Sequence, residues 1–355
     1  MCLTHSPSIP DNLYKYKGAK EMDFEMFKDI IKRFKAALGC CFIGNGEPLL
    51  CKDLFKMIEY AHKHKMYTQI FTNGLILDKF IDKIIHSPLN SINISVNSIE
   101  PEDFKRITGL DSSIFEKIIT NAKALINARN RIGSKLGISA TIITDRYNYK
   151  MIPQMTDFAQ DMGLDYIGFC NILPSSAPGY SAKERCLFAD DEEAYNFLKS
   201  LQVENRKIKV ELPVLLDRNN SRVCRDSFIS MSIDGNGDVN GCERQLLNSQ
   251  GNGKYYDKDI FNNAHFCKLR SMFLNSKIPL LEPCRLCYNN SVFKIEEVNK
   301  LSLTPYKSPL LLIIFIWILY IGWTYYSRLF EIIASEILGD ISRFKQVCRW
   351  IIFRF

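Results

Sequence analysis

Four cysteines in the last third of the chain, Cys224, Cys242, Cys284 and Cys287, are spaced to share one centre. Cys284 and Cys287 are separated by two residues, so both thiolates can reach a single metal. Between the first pair, the turn Asp234-Gly235-Asn236-Gly237 returns the chain so that Cys242 can approach Cys224. Four thiolates make a complete tetrahedral set that both zinc and a four-iron cluster accept, so the residues alone leave the metal open. They disfavour a zinc hydrolase, because no position is left for water. Cys267 is an alternative ligand, though its neighbours Phe266 and Leu269 suggest a buried helix position. Cys40, Cys41, Cys51, Cys170, Cys186 and Cys348 read as packing residues.

A second constellation is Gly44-Asn45-Gly46-Glu47-Pro48, which follows a short apolar run. A glycine turn at the end of a strand lets backbone approach a ligand closely, and a carboxylate there can accept hydrogen bonds from an amine. The plainer alternative is a structural turn with Pro48 opening the next helix. Phosphate-loop chemistry is excluded, since no Gly-x4-Gly-Lys-Ser/Thr occurs and Gly44-x-Gly46 lacks the third glycine of a dinucleotide fingerprint. Thr72-Asn73-Gly74 and Ser95-Val96-Asn97 end later apolar runs and are expected on the same rim.

These groups need a scaffold, and the pattern between Gly39 and Cys170 supplies one. Runs at Cys40–Ile43, Tyr67–Phe71, Ser91–Val96, Ile138–Ile143 and Asp165–Phe169 are short, apolar and bounded by turn formers, as buried strands are. Between them, Leu54, Ile58 and Ala61 share a helical face, as do Phe80, Ile84 and Ile85. Phe115, Ile118, Ile119, Ala122 and Leu125 line a third face, and Met155, Phe158, Ala159 and Met162 a fourth. Repeated βα units predict an α/β fold with a parallel sheet, either open and doubly wound or curled into a complete or partial barrel.

Composition narrows the function classes. With 46% apolar and 24% charged residues among 355, the chain is neither disordered nor collagen-like. The net charge of +7 is spread out and forms no nucleic-acid-binding arm. No secretory signal opens the sequence, so a cytoplasmic start is expected, where twelve cysteines read as ligands, reactive groups or small hydrophobes rather than disulfides. The expected organisation is a barrel over 1–174, a linker over 175–213, a Cys-rich module over 214–300 and a hydrophobic, membrane-associated helical tail over 301–355. Within the linker, a helix start at Asp190–Glu193 and a strand at Lys207–Leu212 are predicted. Ser308–Ser327 carries no charge over twenty residues, long enough to span a bilayer, with Tyr320, Trp323, Tyr325 and Tyr326 as an aromatic belt. An amphipathic helix through Leu329, Ile333, Ile337, Ile341 and Phe344 follows, so membrane association through residues 308–327 is expected.

Gly44 to Pro48 resembles the Gly-Gly-Glu-Pro motif of radical S-adenosylmethionine (SAM) enzymes, with Asn45 in place of the second glycine. Cys224-x12-Gly237-x4-Cys242 and Cys284-x2-Cys287 are similar to the opening of the SPASM or twitch-type auxiliary-cluster signature. No cysteine follows at the five-residue spacing, which implies one auxiliary [4Fe-4S] cluster instead of two. The resemblance runs from Met1 to about Asn290 and implies a partial (β/α)6 barrel. It implies that Gly44, Gly46, Glu47 and Pro48 hold the amino-acid end of SAM, with Thr72 and Asn73 beside them and Ser95 and Asn97 near the ribose. The family's Cys-x3-Cys-x2-Cys is represented only by Cys2, so the chain is expected to begin one strand late, its barrel lacking the first strand. The implied activity of the intact product is reductive SAM cleavage to a 5′-deoxyadenosyl radical that takes hydrogen from a substrate, with flavodoxin or ferredoxin as electron donor. The four-cysteine auxiliary cluster would pass electrons, since no iron is left open. The competing reading is a membrane-tethered metal-binding or interaction protein without catalysis. The substrate and the catalytic residues are not readable from the sequence.

Overall fold

The computed structural model describes residues 21–44, 46–174, 176–177, 180–203, 206–216, 226–241, 253–275, 278–280, 284 and 350–354. Helix α1 (Phe24–Arg33) starts where the Asp23 carboxylate accepts from Met26 N at 2.8 Å, and it buries Phe27, Ile30 and Ile31. Then come β1 (Gly39–Ile43), α2 (Leu54–Lys63), β2 (Tyr67–Thr72), α3 (Ile81–His86) and β3 (Ser91–Ser95). After α4 (Pro101–Thr108) comes the long α5 (Ser112–Ile132), capped by Asp111 accepting from Ser113 N at 3.0 Å. Next are β4 (Gly137–Thr144), α6 (Ile152–Met162) and β5 (Tyr166–Asn171).

The five expected strands are present and pair in parallel in the order β1-β2-β3-β4-β5, as buried βα repetition requires. Their alternate residues divide cleanly. Cys40, Phe42, Thr68, Ile70, Thr72, Ile92, Ile94, Ile138, Ala140, Ile142, Ile167 and Phe169 face the helices and are buried. Ile94 meets Ile118 of α5 around Gly74, while Phe27 of α1 stacks on Phe42 at 5.9 Å. The opposite, inner face carries Cys41, Ile43, Gln69, Phe71, Ser91, Asn93, Ser95, Ser139, Thr141, Ile143 and Cys170. Below that face, at the sheet's N-terminal end, Arg129 pairs with Asp165 and donates to Leu136 O and Gly163 O. Asp165 also accepts from Ile138 N at 2.7 Å, fixing β4 against the α6–β5 connection.

Beyond β5 a short hairpin, β6 (Ser176–Ala177) and β7 (Tyr180–Ser181), leads to α7 (Glu192–Ser200), capped by Asp191 as the acidic start predicts. Strand β8 (Lys209–Glu211), inside the run expected to be extended, closes the sheet beside β5. The single turn α8 (Asp226–Ile229) precedes the hairpin β9 (Ser230–Ile233) and β10 (Val239–Asn240), antiparallel about the Asp234–Gly237 turn. Helix α9 (Ala264–Leu274) packs Leu269 and Phe273 on Phe228, with Arg270 donating to Ser227 O and Phe261 O.

Two expectations change. The sheet does not stop at β1: Trp350–Arg354 forms a strand, β11, parallel to β1 on one side and to β9 on the other. The edge expected to be vacant is filled by the C-terminal residues, and the hairpin β9–β10 thereby joins the main sheet. This part of the tail is therefore strand and not helix, because the run Trp-Ile-Ile-Phe is β-branched and aromatic and an apolar edge is there to receive it. Cys267 is exposed on α9, with Phe266 and Leu269 turned inward instead. Among the described residues no helix is long and apolar enough to cross a membrane. Ser308–Ser327, the amphipathic helix after it and Cys348 lie outside the described residues.

Candidate active site

The glycine turn and its partners sit at the C-terminal end of the parallel strands. Glu47 caps the short 3-10 turn Pro48–Leu50, its Oε1 accepting from Leu49 N at 3.2 Å. The same oxygen accepts from Thr72 Oγ1 at 2.8 Å, and Oε2 accepts from Asn73 N at 2.9 Å. The carboxylate thus ties the loop after β1 to the end of β2 and keeps an acceptor position on Oε2. Pro48 is buried, as a residue opening a packed turn should be, while Gly46 is exposed and Gly44 half-buried.

The end of β2 is itself braced. Gly74 N donates to Thr72 Oγ1 at 3.1 Å, Leu75 N donates to Asn73 Oδ1 at 2.9 Å, and Asn121 of α5 donates to Gly74 O and Leu75 O. Gly74 has φ +79°, and a Cβ there would stand 3.0 Å from both Ile118 Cγ2 and Ile94 Cγ2. Glycine is required by conformation and by space. Ser95 ends β3 on the inner face, and two residues on Asn97 holds φ +64°, a left-handed turn that re-aims the chain at the same rim.

Sequence reasoning therefore places Gly44, Gly46, Glu47, Pro48, Thr72, Asn73, Ser95 and Asn97 along one rim, and the structure adds the direct Glu47–Thr72–Asn73 contact. Asn45, Cys2, Cys224, Cys242 and Cys287 lie outside the described residues. Cys284 is described and buried against Phe228, Leu269 and Phe273. Among the described residues no three His, Cys, Asp or Glu side chains come together to hold a metal. Of the cysteines read as packing residues, Cys40, Cys51 and Cys186 are buried, and burial pushes the Cys51 thiol up to about 12, so it stays protonated. Cys41 and Cys170 point to the inner face instead.

Three residues escaped the sequence reading: Asn121, which braces the β2 rim, and the inner-face pair Asn93 and Ser139. Asn93 Nδ2 donates to Ser139 Oγ at 2.9 Å. Their signal was available, since polar residues at Ser91, Asn93 and Ser95 recur with the two-residue period of a strand and must share a face.

A rim of open backbone, a clamped carboxylate and a polar inner face thus belong to one parallel α/β sheet, and comparison with known proteins shows what it resembles. Residues 2–159, a little under half of the chain, match the model of the radical SAM superfamily. Its cofactors are a [4Fe-4S] cluster and SAM. The chain is 29% identical over 122 residues to the probable GTP 3′,8-cyclase of Methanocaldococcus jannaschii, covering 34% of this chain and 39% of that protein. It is 29% identical over 128 residues to the PqqA peptide cyclase of Granulibacter bethesdensis, covering 36% and 32%. The matches thus span about two-fifths or less of these relatives' length. The fold is similar to that of Streptococcus suis SuiB bound to SAM (TM-score 0.55, 18% identity, 83% of this chain and 69% of that one). It is also similar to SuiB bound to the precursor peptide SuiA (TM-score 0.51, 18% identity, 76% and 63%).

The residues at the rim fit SAM. An α-amino group needs acceptors, which the free position on Glu47 Oε2 and the backbone of the glycine turn provide, and ribose hydroxyls need the polar atoms that Ser95 and Asn97 carry. A cluster would be held through cysteine thiolates, and Cys2, which the resemblance puts forward as one of them, lies outside the described residues.

Proposed function

We propose that this chain is a radical SAM enzyme acting on a peptide. The bound cluster and SAM supply one piece of chemistry, reductive cleavage to a 5′-deoxyadenosyl radical that removes a hydrogen atom from the substrate. The chain's own residues do the rest. Glu47, held by Thr72 and Asn73, fixes the path of Gly44–Gly46 so that its backbone meets the amino-acid end of SAM. Ser95 and Asn97 meet the ribose, and Cys2 provides a cluster ligand. The inner face of β1 to β5 receives the substrate and, walled by helices behind, excludes water from the reacting atoms.

Cys224, Cys242, Cys284 and Cys287 hold an auxiliary [4Fe-4S] cluster of the SPASM or twitch type, which passes electrons from a reduced flavodoxin or ferredoxin. The peptide class rests on the match to PqqA peptide cyclase and on the likeness to SuiB with its precursor peptide. The observation that carries the proposal is the Glu47 clamp, because a buried-side carboxylate spent on bracing a glycine turn is explained by a ligand that needs that turn rigid.

The test is equilibrium dialysis of labelled SAM against anaerobically reconstituted protein. Binding by the wild type, and at least tenfold weaker binding by Glu47→Ala, is expected; tenfold corresponds to about 1.4 kcal/mol. Wild-type protein with a full iron complement that fails to bind SAM overturns the proposal.

A further inference from the structure

At the middle of the inner face, Asn93 is 3% exposed and its Nδ2 is anchored on Ser139 Oγ, yet its Oδ1 has no hydrogen-bond partner. Two residues toward the N-terminal end of the same strand, Ser91 is 8% exposed and its Oγ is likewise unpartnered. Ser139 cannot relieve Asn93, because its own hydroxyl proton points to Ile92 O at 3.3 Å. A buried acceptor without a donor costs about 1–3 kcal/mol, and natural proteins rarely leave one without a reason. Two on one strand, both on the face away from the helices, mark a place where something else completes the bonding.

The chemistry of that partner can be read from what surrounds it. An amide oxygen pinned through its nitrogen accepts only, so the partner must donate an N–H or O–H. Across β1 to β5 the inner face holds Cys41, Ile43, Gln69, Phe71, Ser95, Thr141, Ile143, Tyr166 and Cys170 beside these residues and no charged side chain; Lys209 and Glu211 share that face only on β8, at the far edge of the sheet, where Glu211 accepts from Tyr166. A phosphate or carboxylate placed at Asn93 would find no cation on β3 or on the strands β2 and β4 beside it, and the cost of burying an unpaired charge is prohibitive. Neutral amides carry donors and acceptors in alternation, which suits a column of Ser, Asn and Ser spaced two residues apart, about 6.6–6.8 Å per step. The depth agrees. Asn93 lies one such step below Ser95, the rim position read as facing SAM, and so within the face read as the substrate chamber.

We propose that Asn93, oriented by Ser139 and extended by Ser91, is a binding subsite for an uncharged amide N–H of the substrate, and that it selects a peptide segment over a nucleotide. This inference rests on the reading of the inner face as the substrate chamber of a radical SAM enzyme. It also predicts an unusual stability signature. Residues kept for binding are costly in the free protein, so removing both members of the pair together, Asn93→Leu with Ser139→Ala, removes the orphaned Asn93 Oδ1 and replaces it with apolar contact.

The probe is N-acetylglycinamide, with GTP as the charged comparison, followed by saturation-transfer NMR on the purified full chain. Wild-type protein is expected to bind the amide and not GTP. Asn93→Leu/Ser139→Ala is expected to lose at least tenfold in amide affinity while melting at or above the wild-type temperature. A double variant that melts lower and still binds the amide shows a merely structural pair and overturns the proposal, as does binding of GTP at this face or no amide binding by the wild type. Formation of 5′-deoxyadenosine from SAM is measured in parallel. A protein that cleaves SAM but lacks Asn93-dependent amide binding refutes the subsite and leaves the radical SAM reading standing.

Discussion

Glu47 and Thr72 should be energetically coupled, and the size of the coupling follows from their contacts. Glu47→Ala removes the acceptor for Thr72 Oγ1, Asn73 N and Leu49 N at once. A hydrogen bond to a charged group contributes about 1.5–3 kcal/mol when protected, but Asn73 N and the carboxylate are partly open to water, so each of these is worth less. A total of about 2–4 kcal/mol is expected for Glu47→Ala. Thr72→Val preserves shape and deletes the hydroxyl, which also receives Gly74 N, so it should cost about 1–2 kcal/mol. The double variant should cost less than the sum by about 1–2 kcal/mol, since both single changes remove the same 2.8 Å bond. Urea denaturation followed by circular dichroism gives all four stabilities, and amide hydrogen exchange at Asn73 should rise in Glu47→Ala and not in Thr72→Val. Strict additivity, or unchanged exchange at Asn73, would refute the clamp.

Arg129→Ala should lower stability by about 2–3 kcal/mol in the same assay, and Arg129→Lys should recover little of it, because the planar fork that reaches Asp165, Leu136 O and Gly163 O cannot be copied by an ammonium. Gly74→Ala, which forces an L-residue to φ +79° and a methyl 3.0 Å from two isoleucine carbons, should cost at least about 1–2 kcal/mol; a neutral result would mean the loop is not held as described. For β11, Ile352→Cys stands in register with Cys41 across a parallel pair, so mild oxidation or a short bifunctional thiol reagent should join these two positions. Peptide mass mapping that finds Ile352→Cys joined elsewhere, or only between chains, would contradict this strand placement.

The five central strands were legible because each is buried on the helix side and framed by turn formers, so Phe42, Ile70, Ile92, Ala140 and Ile167 announce themselves locally. Helix starts at Asp191 and the 234–237 hairpin turn were legible for the same reason, being written in short-range chemistry. Strand β11 was not, since its partner β1 lies some three hundred residues away in sequence and nothing in Trp350–Arg354 states which edge it will join. The candidate site divides similarly. Glycines and the carboxylate at 44–47 could be read as ligand chemistry, but the side on which Glu47 spends its oxygens depends on how β1 and β2 come together. The shared face of Ser91, Asn93 and Ser95 was open to reading from their two-residue period, but that Asn93 meets Ser139 on β4 and is incompletely bonded follows only from how β3 and β4 pair.

The central claim is that this rim activates SAM. The most direct measurement is 5′-deoxyadenosine formation, by liquid chromatography and mass spectrometry, from SAM and dithionite with anaerobically reconstituted protein carrying its native N-terminus. Wild-type protein should form 5′-deoxyadenosine, and Glu47→Ala should form at least tenfold less at limiting SAM. No product from a protein that carries its cluster and binds SAM would contradict the account.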